Sequence, residues 1–180
     1  MSPEDLFSHG TLKTELVMVL NQRIKLGNLG YLFTDSTRVS SPKADLSAEP
    51  DIVFVSAASL DKGAVRLVPK SAHGHDRFVE LEGGPDLVVE IVSDSSVNKD
   101  TNRLPPAYFL AGIGEFWLVD ARAEELVFRV YRRGASAFEP AEADAEEFLR
   151  SSVLSCWFRL DRQRNERGHW AFDLRTREPA

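Results

Sequence analysis

Two acids set in apolar surroundings are the residues of this 180-residue chain whose type and spacing could do chemistry. Glu90 stands in the run LVVEIV, flanked by branched aliphatics. An ionised side chain buried there costs several kcal/mol unless it is paired or bound to a metal. Asp51 opens a second apolar run, DIVFVS, directly after Glu49-Pro50. If both runs are strands and lie antiparallel, the first residue of one falls near the far end of the other, which pairs Asp51 with Glu90. Two carboxylates brought together suit a divalent cation. Asp86 shares a face with Glu90, because strand side chains alternate. It stands about 13 Å away along a strand, too far for both to ligate one ion. It also follows Gly84-Pro85, where turn acids are common. It is kept as a catalytic candidate beside that structural reading.

Such acids need elements to hold them. From Gly83 to Asp120 the chain reads GGPDLVVEIVSDSSVNKDTNRLPPAYFLAGIGEFWLVD. Strand, short helix and strand in that order make a βαβ unit with parallel strands at Leu87–Val92 and Phe116–Val119. Pro105-Pro106 should make the helix begin near Pro106. Upstream, Leu12, Leu16, Val19, Leu20 and Ile24 recur at helical spacing and predict a helix over 6–26, with Ser8 as cap and Gly27 as stop. Tyr31–Val39 and Asp51–Ser56 read as strands. Residues 57–82 are weakly patterned, with strands expected at Val65–Val68 and Phe78–Leu81. Leu126–Tyr131 predicts an antiparallel neighbour ending at the Arg133-Gly134 turn. Glu139–Glu147 reads as a solvated loop or helix start, and Val153–Leu160 with His169–Leu174 as late strands or a closing hairpin. Helices flanking a mixed sheet give an α/β (α+β) core.

PDLVVEIVS, then Asp100, Tyr108 eight residues on, Gly112 and GEFWLVD together resemble the Uma-type family of putative restriction endonucleases, part of the PD-(D/E)XK nuclease superfamily. The resemblance reaches back to His9-Gly10 and Glu49-Pro50-Asp51 and covers roughly residues 9–160. It implies a restriction-endonuclease-like αβββαβ core with extra C-terminal strands. It also implies DNA as substrate and Mg2+ (or Mn2+) held by Asp51 and Glu90. The superfamily pattern places a lysine two residues after the second acid, and Val92 stands there; similar chains carry one four residues after the acid matching Asp100, and Leu104 stands there. Lys99 is taken as the replacement cation, with Arg103 as another. A first-helix acid sometimes joins such sites, which makes Glu15 a candidate. His9, at the helix entrance, is read as a capping or packing residue.

Composition narrows the alternatives. The length fits a single domain over 1–180. No apolar run approaches the length of a membrane span, and the acidic, polar start is no signal peptide. A lone cysteine, Cys156, excludes an internal disulfide and suits a reducing cytoplasm; its apolar setting makes it a core residue. The net charge of −6 lies wholly in residues 1–120, with 11 Lys/Arg against 17 Asp/Glu. That balance opposes tight non-specific grip on nucleic acid by a monomer and suits cation binding. His73 and His75 lack a matching Cys/His pair for zinc, Tyr108 and Trp117 read as core aromatics, and no nucleotide-binding loop is present. The sequence thus points to a metal-dependent endonuclease acting on DNA. The alternatives are a degenerate nuclease fold serving as a nucleic-acid or protein interaction module, and hydrolysis of a small phosphoester. Val153, Leu154, Trp157 and Phe158 are expected to form an exposed self-complementary patch, which predicts a homodimer.

Overall fold

The computed structural model describes residues 5–70 and 77–179, so the expectation for His73 and His75 lies outside the described residues. Asp5 starts the first helical segment: its carboxylate accepts from the backbone N–H groups of Phe7 and Ser8. Asp5, not Ser8, is therefore the cap, and the Ser8 hydroxyl donates to the same carboxylate. A π-helical turn, Leu6–Gly10, leads into helix α1, Thr11–Leu26. Leu12, Leu16, Leu20 and Ile24 of α1 are fully buried, as their spacing predicts.

The expected strand over 31–39 is in fact two. Strand β1 (Gly30–Thr34) ends at a turn in which Ser36 has φ 59°, and β2 (Arg38–Ser41) follows. Next come β3 (Leu46–Ala48), β4 (Ile52–Ser56), a short helix α2 (Ala57–Asp61), β5 (Val65–Pro69), β6 (Phe78–Gly83) and β7 (Leu87–Ile91). A second π-helical turn, Lys99–Arg103, runs into helix α3 (Leu104–Ala111). Pro105 and Pro106 occupy its first turn, where no backbone donor is needed, so α3 starts at Leu104 and not at the prolines. The chain continues through β8 (Glu115–Asp120), β9 (Val127–Arg133), β10 (Phe138–Pro140), β11 (Leu149–Ser151), β12 (Cys156–Arg164) and β13 (Trp170–Arg177).

The main sheet has the order β1-β4-β7-β8-β9-β10. Strands β1, β4 and β7 pair antiparallel, and β8 joins β7 in parallel across the α3 connection. Helix, three antiparallel strands, helix and parallel strand make the αβββαβ core. Gly84 locks the βαβ unit, because a Cβ on it would meet the Gly112 carbonyl carbon at 2.6 Å. Gly112 itself closes α3 with φ 94°, a conformation that favours glycine. Two apolar layers sandwich the sheet. One joins α1 to Ile52, Val89, Ile91 and Trp117, and the other joins α3, through Leu104 and Tyr108, to Val53, Val88 and Val92. Strands β3-β2-β6-β5 form a second sheet, whose β5 and β6 fall where strands were expected at 65–68 and 78–81, and β11-β12-β13 form a third.

Three of the four residues of the expected dimer patch lie in or against the core, and Trp157, on the other face of β12, stays partly exposed. Leu154 and Phe158 are 1% and 0% exposed, and Val153 packs on the same cluster, because β11–β13 closes over the α1 side of the main sheet. These residues complete the core. Cys156 is buried beside them, and burial pushes its thiol pKa up, as suits an inert thiol. Among the described residues no helix is long and apolar enough to cross a membrane.

Candidate active site

Strand register brings the two acids of the apolar runs together. In the β4–β7 pair Ile52 stands opposite Val89 and Val53 opposite Val88, which carries Asp51, one residue before β4, to the level of Glu90. By alternation both side chains lie on the α3 side of the sheet. The Asp51 Oδ2 accepts a hydrogen bond from the Ile91 backbone N–H at 2.8 Å.

Glu90 is 1% exposed. The Tyr108 hydroxyl donates to its Oε1. Burial, and after it the charge of Asp100, push the Glu90 pKa up to about 8, against the pull of Lys99 and of the Tyr108 hydrogen bond. Near neutral pH this carboxyl keeps its proton unless a cation joins it. Burial and the Glu90 carboxyl also drive the Tyr108 phenol well above its ordinary range, so it stays a donor.

The turn after β7 supplies the next pair. Lys99 Nζ lies 3.2 Å from Asp100 Oδ1. Asp100 is 1% exposed and accepts from the Ser96 hydroxyl through Oδ2. Burial raises the Asp100 pKa despite Ser96 and Lys99. Burial would lower the Lys99 pKa, but the fields of Glu90 and Asp100 outweigh it and raise it. Lys99 is thus held charged beside Glu90, and Leu104 and Val92 are buried in the apolar layer.

The first helical segment adds Lys13, which the sequence reading passed over, and gives His9, read as a capping or packing residue, a place beside Asp51. Lys13 Nζ lies 2.7 Å from Asp51 Oδ1 and 2.7 Å from Asp35 Oδ1. His9 Nε2 is 3.6 Å from the same Asp51 oxygen. His9 and Lys13 are one helical turn apart, a spacing legible in the sequence as a shared face. Tyr108 is a core aromatic as expected, but its hydroxyl gives it a second part that composition did not reveal.

The other candidates fall elsewhere. Asp86 sits at the opposite end of β7, where it accepts from Ser56 N at 2.7 Å, Ser59 Oγ at 2.8 Å and Ser56 Oγ at 3.1 Å. These bonds tie β7 to the start of α2. Glu15 accepts from the Leu174 N–H at 3.0 Å and fastens α1 to β13. Arg103 lines a surface cleft that Lys99 also lines. Among the described residues no group of three or more His, Cys, Asp or Glu is placed to hold a metal ion. Asp51 and Glu90 are therefore the whole candidate carboxylate pair.

A mixed α/β fold with a buried carboxylate, a second acid and a lysine around one parallel crossover defines a nuclease-like protein. A family model described as Uma2, putative restriction endonuclease, matches residues 1–163. The chain belongs to that family. Among solved structures it is similar to a putative nuclease of the DUF820 group from Anabaena variabilis, with TM-score 0.60 and 20% identity. That match covers 86% of this chain and 76% of the other. No curated protein matches the chain.

Proposed function

We propose that this protein is a divalent-metal-dependent nuclease that hydrolyses phosphodiester bonds in DNA, with Asp51 and Glu90 holding Mg2+. The observation that carries this reading is the β4–β7 register, which levels Asp51 with a Glu90 that keeps its proton up to about pH 8. The donor chemistry fits the ion. Mg2+ takes hard oxygen ligands and is commonly held by one or two carboxylates with waters and substrate phosphates completing its shell. When bound, the ion supplies activation of water and neutralisation of charge on the scissile phosphate.

The protein groups divide the remaining work. Tyr108 fixes the Glu90 carboxyl, and the Ile91 N–H, Lys13 and His9 fix that of Asp51. Lys99, kept charged by its acidic neighbours, orients the attacking water or balances the developing phosphate charge. It thereby replaces the lysine absent at Val92 and Leu104. A second reading, an inactive member acting as an interaction module, is favoured by those two apolar positions and by the lysine already seated on Asp51. A plasmid-nicking assay separates them. Nicking that requires magnesium or manganese and is lost in Glu90→Gln supports the enzyme. Metal-bound but uncut plasmid at high protein concentration supports the module.

A further inference from the structure

A cleft of about 570 Å³ opens beside the candidate site, lined by Arg38, Ser47, Ala48, Glu49, Lys99, Arg103 and Leu104. Three cations against one acid is an unusual balance for a region of the chain with a marked acidic excess. Lys99 belongs both to the cleft and to the carboxylate cluster. Arg38 is held in place by a 3.1 Å bond from its Nε to Ser47 Oγ and stays 53% exposed. Its nearest carboxylate, Glu80, is 3.6 Å away and is itself engaged by the Ser40 hydroxyl. Arg103 is exposed and has no carboxylate partner among the described residues, whereas Arg66, Arg122 and Arg177 each hold one or two.

The cleft has no aromatic lining residue. Single-strand readers stack bases on aromatic side chains, which this lining lacks. Arg and Lys donors to phosphate oxygens position a nucleic acid without carrying sequence information. We infer that Arg38, Lys99 and Arg103 form a phosphate track that lays a nucleic-acid backbone along the cleft and leads it to the carboxylates, independent of base sequence. This rests on the nuclease reading for its substrate class and adds the residues that grip it.

The prediction is electrostatic and countable. Each neutralised phosphate contributes about −0.9 to the slope of log K against log salt on duplex DNA. Three contacts give about −2.7 for the unaltered chain. The test measures fluorescence anisotropy of a labelled mixed-sequence DNA duplex over a salt series, with divalent cations chelated so that binding is read without turnover. The double variant Arg38→Ala with Arg103→Ala should weaken low-salt binding by about tenfold or more and reduce the slope by about 1.8. Arg38→Lys with Arg103→Lys should restore most of both, which a merely structural role for the arginines would not. Arg150→Ala, on an exposed position outside the cleft, should change neither. An alanine double variant that keeps the affinity and slope of the unaltered chain overturns the track, as does an unaltered chain that shows no salt-dependent binding. Nicking is scored separately in magnesium. Track binding without nicking sinks the nuclease reading alone, and nicking with unchanged binding in the double variant sinks the track alone.

Discussion

Glu90 and Glu115 are buried glutamates on adjacent parallel strands, each 1% exposed, and they lead opposite lives. Glu115 is surrounded by donors. Trp117 Nε1 gives a hydrogen bond at 2.7 Å, and the backbone N–H groups of Ser152 and Val153 approach at 2.8 and 3.4 Å. Burial raises its pKa, but these donors oppose the rise and tie β8 to the segment before β12. Glu90 has one neutral donor, Tyr108, and two acids nearby whose charges add to the rise, opposed by the charge of Lys99. A buried carboxylate supplied with donors is a structural fastener. One that faces other carboxylates is short of positive charge and suited to receive it.

The comparison predicts different failures when each acid is neutralised. Glu90→Gln should cut metal-dependent nicking by at least about 10²-fold while leaving the melting temperature equal or higher, since it removes a carboxyl that must be held protonated in the fold above the pH at which the unfolded chain releases that proton. Intact nicking in that variant would place the chemistry elsewhere. The same substitution at Glu115 should leave nicking unchanged and destabilise by about 1–3 kcal/mol, because the new amide group turns a donor toward existing donors. Urea unfolding of both variants, read beside the nicking assay, tests the pair.

Acidity sharpens the contrast. With metal chelated, the folded chain keeps the Glu90 proton up to about pH 8, whereas the unfolded chain releases it near pH 4.5. The native state binds more protons in that window, so stability falls as pH rises through it, by at most about 1.4 kcal/mol per pH unit. The loss is absent below the window and complete above it. Glu90→Gln should flatten most of this slope and leave the smaller one due to Glu115. An identical pH profile of denaturant midpoints in the two proteins would show that Glu90 titrates normally.

Tyr108→Phe removes the single donor to Glu90 and should move the upper end of that window to higher pH, at a cost of about 1–3 kcal/mol once Glu90 ionises. The smallest effect belongs to Asp86→Asn. It disturbs the link between β7 and α2 and should cost about 1 kcal/mol with nicking unaltered. A large loss of nicking in Asp86→Asn would return that residue to the catalytic group.

The chemistry-bearing strands were legible because their signal is local. An apolar run interrupted by an acid, a βαβ spacing and a helix with leucines four apart each survive without knowledge of the rest of the chain. The pairing of Asp51 with Glu90 followed from taking their strands as antiparallel neighbours, which β4 and β7 are. What eluded sequence reading has a common cause. The β3-β2-β6-β5 sheet is built from short strands whose pairing is non-local, β2 and β6 lying parallel across some forty residues. Such strands carry little periodicity of their own. Leu154 and Phe158 read as surplus apolar residues because the face they cover, α1 and its side of the main sheet, is distant in sequence. Lys13 and Asp35 carry no local mark that sets them apart, and Tyr108 read as a core ring. The sequence alone determined which acids were costly to bury and which strands held them. Tertiary structure decided which of the buried acids are satisfied, because hydrogen-bond donors and opposing charges arrive from segments whose separation along the chain bears no relation to their separation in space.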